Sequence, residues 1–303
     1  MATVELAGRG TVAYQWSGEG PEVVALINGS VFNFHQWDMQ ALPIMSQALH
    51  GRCRFLQYDY IGVGGSSAKT TPFNMSDLAD ELRDLLDALE VGSVHLLGIS
   101  KGSLVGQAFL IRHRERAKSF CGLGNPNLLS ESGIQAFALF RERVEALESV
   151  KELWPQRIGR HNYTRILRAV YIPAMFGKSY HDLSLGERLR AFIMGRLVYS
   201  SLEGTFVQTM ADLFSYYASD IAQEVPFFAE GLPQVQGLPI LLLNGTADDT
   251  TPVQMSRDLV QVLRDAELVE FEGVTHMGSM LLKKMARPIF ERYVTFMDQV
   301  LAS

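Results

Sequence analysis

Three observations predict an α/β fold with a mostly parallel central sheet, flanked by helices and interrupted by an inserted helical cap. Aliphatic runs of strand length alternate with helical segments along most of the chain, the pattern of parallel strands joined by crossover helices. Strand signal then disappears across residues 128–228 and resumes near Leu238. Finally, serine, aspartate and histidine each follow a short apolar run, and the end of a parallel strand is where such a sheet carries its functional groups. At 303 residues the chain fits one large domain with an insertion.

Taken in order, Thr3 to Ser17 alternates weakly and predicts a hairpin, closed by the loop Gly18 to Pro21. Val23 to Ile27 is a fully apolar strand, followed by a helix containing Met39 to Leu49 and a strand at Cys53 to Asp59. Leu78, Leu82, Leu85, Leu86 and Leu89 recur at helical spacing, with Ser76 expected as the N-cap. Val94 to Leu97 reads as a strand, Gly102 to Arg112 as a helix, and Ala117 to Leu123 as the next strand. Residues 1–127 and 229–303 are expected to form the core. Beyond the cap, strands begin at Leu238 and Leu268, and a helix from about Ala286 to Leu301 closes the chain.

The candidate chemistry centres on Gly98-Ile99-Ser100-Lys101-Gly102. A strand turning sharply into a helix lifts a serine hydroxyl above the sheet, and small residues on both sides let the turn close. The order Ser, Asp, His then follows. Asp248 lies three residues after Gly245 in the loop behind the Leu238 strand, and His276 lies three after Gly273. The neighbouring Asp249 competes for the acid's role; Asp248 is preferred, with Asp249 expected to cap the helix at Pro252-Val253. Of seven histidines, His276 alone follows a late strand in this way. His35, His50, His113, His161 and His181 are expected to be solvated, and His95 to be a satisfied core residue. Two backbone N–H groups should form an oxyanion hole: that of Lys101, and that of Ser30 in the Asn28-Gly29-Ser30-Val31 loop, with Val31 the second choice. The Lys101 side chain is expected to be solvated.

Residues 128–228 are rich in large apolar side chains, as a cap shaping a pocket for an acyl chain or another uncharged apolar group would be. Met175, Phe176, Phe206, Met210 and Phe214 are the candidates for its lining.

Five motifs in this order resemble the α/β-hydrolase superfamily: Asn28-Gly29 at the oxyanion loop, Asp59 to Ser66, the elbow around Ser100, Gly245 to Asp248, and Gly273 to His276. The family usually carries His-Gly at the first and an arginine where Ile61 stands in the second. These departures, with Asn244-Gly245, are similar to bacterial 3-hydroxyacyl-carrier-protein transacylases. The resemblance implies a serine hydrolase of ester or thioester bonds acting through an acyl-enzyme. Its alternatives are an acyltransferase on hydroxyacyl thioesters, a carbon–carbon bond hydrolase, or a non-hydrolytic binder. No cofactor and no metal are expected.

The remaining composition narrows the class. A net charge of −6 with scattered basic residues gives no nucleic-acid footprint. Cys53 and Cys121 are too few for a disulfide framework and fit free thiols. The N-terminus lacks a basic n-region and a long apolar stretch, and no apolar run has membrane-spanning length, so the expected compartment is the cytoplasm. The expected partner is a small apolar or acyl substrate, free or carried on coenzyme A or acyl carrier protein, and a homodimer is left open.

Overall fold

The computed structural model describes residues 1–69, 72–138, 140–172 and 180–303. Eight strands form one sheet in the order β1-β2-β4-β3-β5-β6-β7-β8. β1 (Ala2–Leu6) and β2 (Gly10–Gly18) are the antiparallel hairpin, and β2 also pairs antiparallel with β4 (Cys53–Asp59). All other neighbours are parallel: β3 (Glu22–Ile27) beside β4 and β5 (Val94–Ile99), then β6 (Ala117–Leu123), β7 (Ile240–Gly245) and β8 (Ala266–Phe271).

The period of two explains why the central strands are largely apolar. Val23, Ala25, Ile27, Val94, Leu96, Ile240 and Leu242 face one core, whereas Val24, Leu26, Leu97, Ile99, Leu241 and Leu243 face the other. The second core is covered by α1 (Ala41–Ala48), and by the C-terminal helix through Ala286, Ile289, Phe290, Tyr293 and Met297. The first is covered by α2 (Met75–Ala88) and α3 (Lys101–Arg112). Cys53 and Cys121 are buried free thiols within the second core. The N-cap of α2 is Asn74, not Ser76: its side chain accepts from the Asp77 N–H at 2.6 Å.

α3 approaches the sheet so closely that its glycines are steric requirements. A Cβ on Gly102 would lie 2.0 Å from the Ile27 carbonyl oxygen, and one on Gly98 would lie 2.3 Å from the Gly102 oxygen. Backbone cannot move aside as a side-chain tip can. Gly102→Ala is therefore expected to cost about 3 kcal/mol or more, read as a lowered urea midpoint or loss of soluble protein. A wild-type midpoint would contradict this packing.

Between β6 and β7 the described elements are helical, apart from one isolated bridge between Arg157 and Phe206. They include α4 (Glu131–Ala138), α5 (Phe140–Glu148), α6 (Tyr163–Ile166), α7 (Leu185–Leu202), α8 (Val207–Ser215) and α9 (Val225–Gly231). α9 crosses residue 228 and packs on α3, where Gly231 meets Ile111. α10 (Val253–Val262), α11 (Gly278–Leu281) and α12 (Lys283–Ala302) complete the chain. Among the described residues, no helix is long and apolar enough to cross a membrane.

The helical block is tied to the sheet by polar contacts as well as apolar packing. The Asn33 side-chain amide donates to the carbonyls of Ser200 and Glu203, both at 2.9 Å, and the Arg157 guanidinium donates to those of Gly204 and Ser66. Beneath lies Asp59, whose buried carboxylate accepts from the N–H groups of Phe34 at 2.7 Å and Gly65 at 2.9 Å. Burial pushes this carboxyl up to about 6, against the downward pull of those donors. Folded protein thus holds a proton that the unfolded chain has released. The resulting stabilisation is full below about pH 4 and is lost as pH rises through about 6. Wild-type stability relative to Asp59→Asn is expected to fall across that window in urea melts. A difference constant with pH would contradict a buried, titrating Asp59.

Candidate active site

The strand order brings the candidate loops to one end of the sheet. Those after β3 and β5 are adjacent, and those after β7 and β8 are adjacent beyond β6. β5 lies between β3 and β6, so the serine turn emerges beside the loop after β3. Ser100 has φ 54° and ψ −120°, a left-handed conformation that side-chain-bearing residues avoid. Its N–H is fixed to the Leu123 carbonyl at 2.8 Å. Strain held in place by both neighbouring strands turns the hydroxyl out of the sheet at the N-terminus of α3, where the first N–H groups have no intrahelical acceptor.

The acid and base loops are joined backbone to backbone. Ala247 N–H donates to the Val274 carbonyl at 3.1 Å, and Gly245 approaches Val274 so closely that a Cβ would lie 2.1 Å from the same oxygen. The imidazole Nδ1 of His276 lies 2.8 Å from Asp248 Oδ2. The other oxygen, Asp248 Oδ1, accepts the N–H groups of Thr250 at 3.0 Å and Thr251 at 2.7 Å, an Asx turn that fixes the carboxylate plane. The tautomer that donates from Nδ1 to this carboxylate leaves the Nε2 lone pair free. Among the described residues Asp249 neither bonds His276 nor caps a helix: it is exposed, and the N-cap of α10 is Pro252, with no side-chain cap. The Asx turn uses Asp248 instead, which removes the expected need for a second carboxylate.

Two supports had no distinct sequence signal. Thr251 Oγ1 donates to Asp248 Oδ2 at 2.9 Å and lies 3.1 Å from His276 Nδ1. A buried amide–hydroxyl network also joins the elbow helix to the acid loop. Ser103 donates to Asn125 at 2.7 Å, Asn125 to Ser256 at 3.1 Å, Ser256 to Asn244 at 2.7 Å, and Asn244 to the Thr251 carbonyl at 3.0 Å. Gly124, at φ 60°, passes beneath the pair; a Cβ there would lie 3.3 Å from both Asp248 Oδ2 and His276 Cε1.

Ser100 and His276 line one cavity of about 470 Å³, together with Gly29, Ser30 and Val31. Among the described residues, Ser100 makes no hydrogen bond to His276, a contact that commonly tightens only around substrate. The oxyanion-loop candidates are held from several sides. Ser30 Oγ lies 3.4 Å from the Tyr217 hydroxyl, Tyr60 donates to the Gly29 carbonyl at 3.3 Å, and Thr205 donates to the Val31 carbonyl at 3.1 Å. Asn28, at the family's histidine position, donates to the Tyr58 carbonyl at 2.7 Å and accepts from the Trp37 indole at 2.8 Å.

Several expectations need correction. The Lys101 side chain is buried rather than solvated, with Nζ 3.0 Å from the centre of the Tyr60 ring. Burial drives its pKa well down, partly opposed by Glu81. His113 is also buried, its Nε2 2.7 Å from Asp80. His95 is in the core as expected but only half satisfied: Nδ1 lies 2.8 Å from Ser119 Oγ, whereas Nε2 lies 3.3 Å from Glu22 without hydrogen-bond geometry. Of the expected pocket residues, Phe214 lines the cavity. Phe206 instead stacks under Arg157, 3.9 Å from its guanidinium carbon, and Met210 is packed inside the core. Met175 and Phe176 lie outside the described residues. The cavity draws further on Phe140, Leu167, Val170, Met194 and Val198.

Among the described residues, no group of three or more His, Cys, Asp or Glu side chains is arranged to hold a metal ion. A family model described as the alpha/beta hydrolase fold matches residues 23–281. A poly(3-hydroxyalkanoate) depolymerase of Ectopseudomonas oleovorans is 35% identical over 88 residues, so the match spans 29% of this chain and 31% of that one. An (E)-2-((N-methylformamido)methylene)succinate hydrolase of Acinetobacter baylyi is 23% identical over 278 residues, 92% of each chain. Among solved structures, a thermophilic esterase from Thermogutta terrifontis superposes with a TM-score of 0.71 at 17% identity, covering 99% of both chains, a likeness of fold. The matched span takes in every loop of the cavity floor, and the chain belongs to the alpha/beta hydrolase fold family.

Proposed function

We propose that the protein is a serine hydrolase that cleaves ester or thioester bonds of acyl substrates through an acyl-enzyme on Ser100. The observation that carries this reading is the strained Ser100 facing the same cavity as a histidine whose Nδ1 is held 2.8 Å from Asp248. His276 Nε2 takes the hydroxyl proton as Ser100 Oγ bonds to the carbonyl carbon, and Asp248 stabilises the imidazolium. The backbone N–H groups of Lys101 and of Ser30 or Val31 receive the negative oxygen. Collapse breaks the bond to the leaving group, which takes the proton from His276. Water then repeats the sequence and frees the acid.

An alcohol in place of water would make the protein an acyltransferase with the same residues. Product analysis separates the two: free acid alone supports hydrolysis, and a new ester formed from a hydroxyacyl thioester supports transfer. The test is release of 4-nitrophenol from 4-nitrophenyl butanoate, with S-butanoyl pantetheine as the thioester arm. A protein that turns over neither, before and after mixing with an acceptor alcohol, overturns the proposal.

A further inference from the structure

The cavity walls are largely apolar, yet Arg143 on α5 and Arg190 on α7 also face it. Arg190 is exposed, whereas Arg143 is half-buried. Its guanidinium carbon lies 4.5 Å from the centre of the Phe140 ring and 5.9 Å from that of Phe214. The two rings hold the cation against the wall without giving it a hydrogen-bond acceptor.

Several arginines elsewhere are neutralised directly. Arg9 bonds Asp77 and Asp84, Arg112 bonds Asp80, Arg257 bonds Glu270 and Arg292 bonds Glu267. Arg54, Arg168 and Arg196 also lie over aromatic rings but are exposed, whereas Arg143 is half-buried and faces the cavity. Arg157, partly buried, donates to backbone carbonyls. Among the described residues, Arg143 has neither kind of partner. Tyr171, Asp249 and Tyr217 act on it only at a distance, and burial lowers its pKa. A half-buried guanidinium that faces the cavity without a protein acceptor is free to take one from a ligand, and its planar fork is shaped for a carboxylate. Asp249 also lines the cavity and acts on Arg143 at a distance, so a carboxylate needs direct contact with the guanidinium to be held.

We propose that Arg143 anchors a carboxylate carried by the substrate away from the scissile carbonyl, so that the site selects anionic acyl substrates over plain alkanoates. This rests on the hydrolase reading above and changes the expectation of an uncharged acyl group. One half-buried positive charge balances the single charge of a carboxylate, and the apolar walls take the methylenes between it and the ester. The carboxylate can belong to the acyl half or to the alcohol half of the substrate.

Two pairs of esters distinguish these sources. The acyl arm compares the 4-nitrophenyl half-ester of adipic acid with its methyl ester. The alcohol arm compares 4-butanoyloxybenzoate with its methyl ester. In one arm the wild type is expected to prefer the carboxylate by about tenfold or more in kcat/KM, mainly through KM. Arg143→Gln is expected to erase that preference, Arg143→Lys to retain part of it, and added salt to weaken it in the wild type. A wild-type ratio within about twofold of unity in both arms overturns the inference while leaving the hydrolase reading standing. So does a preference that survives in Arg143→Gln. If Arg143→Gln does not fold, judged by circular dichroism, Arg143→Lys and the salt dependence decide. If no ester of either arm is cleaved, the hydrolase reading fails and this inference falls with it.

Discussion

Ser100→Ala is expected to lower kcat/KM for 4-nitrophenyl butanoate by roughly 10⁴–10⁶-fold while leaving the fold intact. The size follows from what remains. Without Oγ no acyl-enzyme forms, and only the cavity, the oxyanion donors and His276 are left to assist water. Stability should change little. Ser100 sits at φ 54°, where strain is held by the Leu123 hydrogen bond and the flanking strands. Alanine has the same backbone preferences and removes only the hydroxyl, so the urea midpoint should stay close to that of the wild type. A variant that is folded and retains more than about a hundredth of wild-type turnover would show that the hydroxyl is not the nucleophile.

Asp248→Asn is expected to lower kcat by roughly 10³–10⁴-fold, against less than about tenfold for Asp249→Asn. The asymmetry is geometric, since the two carboxylates are adjacent in sequence. Asp248 faces His276 Nδ1 at 2.8 Å and accepts two loop N–H groups through its other oxygen, whereas Asp249 is exposed at the cavity rim. An amide at 248 has one acceptor atom instead of two. If the Asx turn keeps the oxygen, the NH₂ faces Nδ1 and forces the proton onto Nε2, the tautomer that cannot accept from Ser100. The loss should therefore appear in kcat more than in KM. Equal losses in the two variants, or a larger loss at 249, would contradict the assignment of the acid.

The strands were readable because each central strand is buried on both faces, which makes the apolar runs continuous and short. Ser100 was readable because it stands directly beyond such a run, and His276 because it follows the short strand β8, each with a glycine nearby. In both cases a local pattern carries the information. What was not readable depends on neighbours distant in the chain. Thr251 looks like any loop threonine until Asp248 and His276 converge on it. Arg143 lies in the charged run Arg141-Glu142-Arg143, the pattern of a solvated helix face, and only the packing of α5 turns it inward.

Side-chain type misled in the same way at Lys101, which fits beneath Tyr60 instead of reaching solvent. Phe206 and Met210 are as apolar as Phe214, but helix direction sends one to Arg157, one to the core and one to the cavity. At the start of α2, Asn74 and Ser76 are both good caps two residues apart, and propensity does not choose between them.

The oxyanion loop joins fold and chemistry. Hydrogen-bond donors aimed at a developing charge are effective when they do not have to reorganise. Here the loop after β3 is fixed by Tyr60 from the sheet side, and by Thr205 and Tyr217 from the helical block. The block that lines the cavity therefore also braces the backbone expected to stabilise the transition state.

The central claim, that Ser100 is the nucleophile, is tested most directly by treating the wild type and Ser100→Ala with a fluorophosphonate and mapping the adduct by peptide mass spectrometry. One adduct per wild-type chain, on the peptide containing Ser100, and none on the variant is the predicted result. An unlabelled wild type, or an adduct that persists in Ser100→Ala, would contradict it.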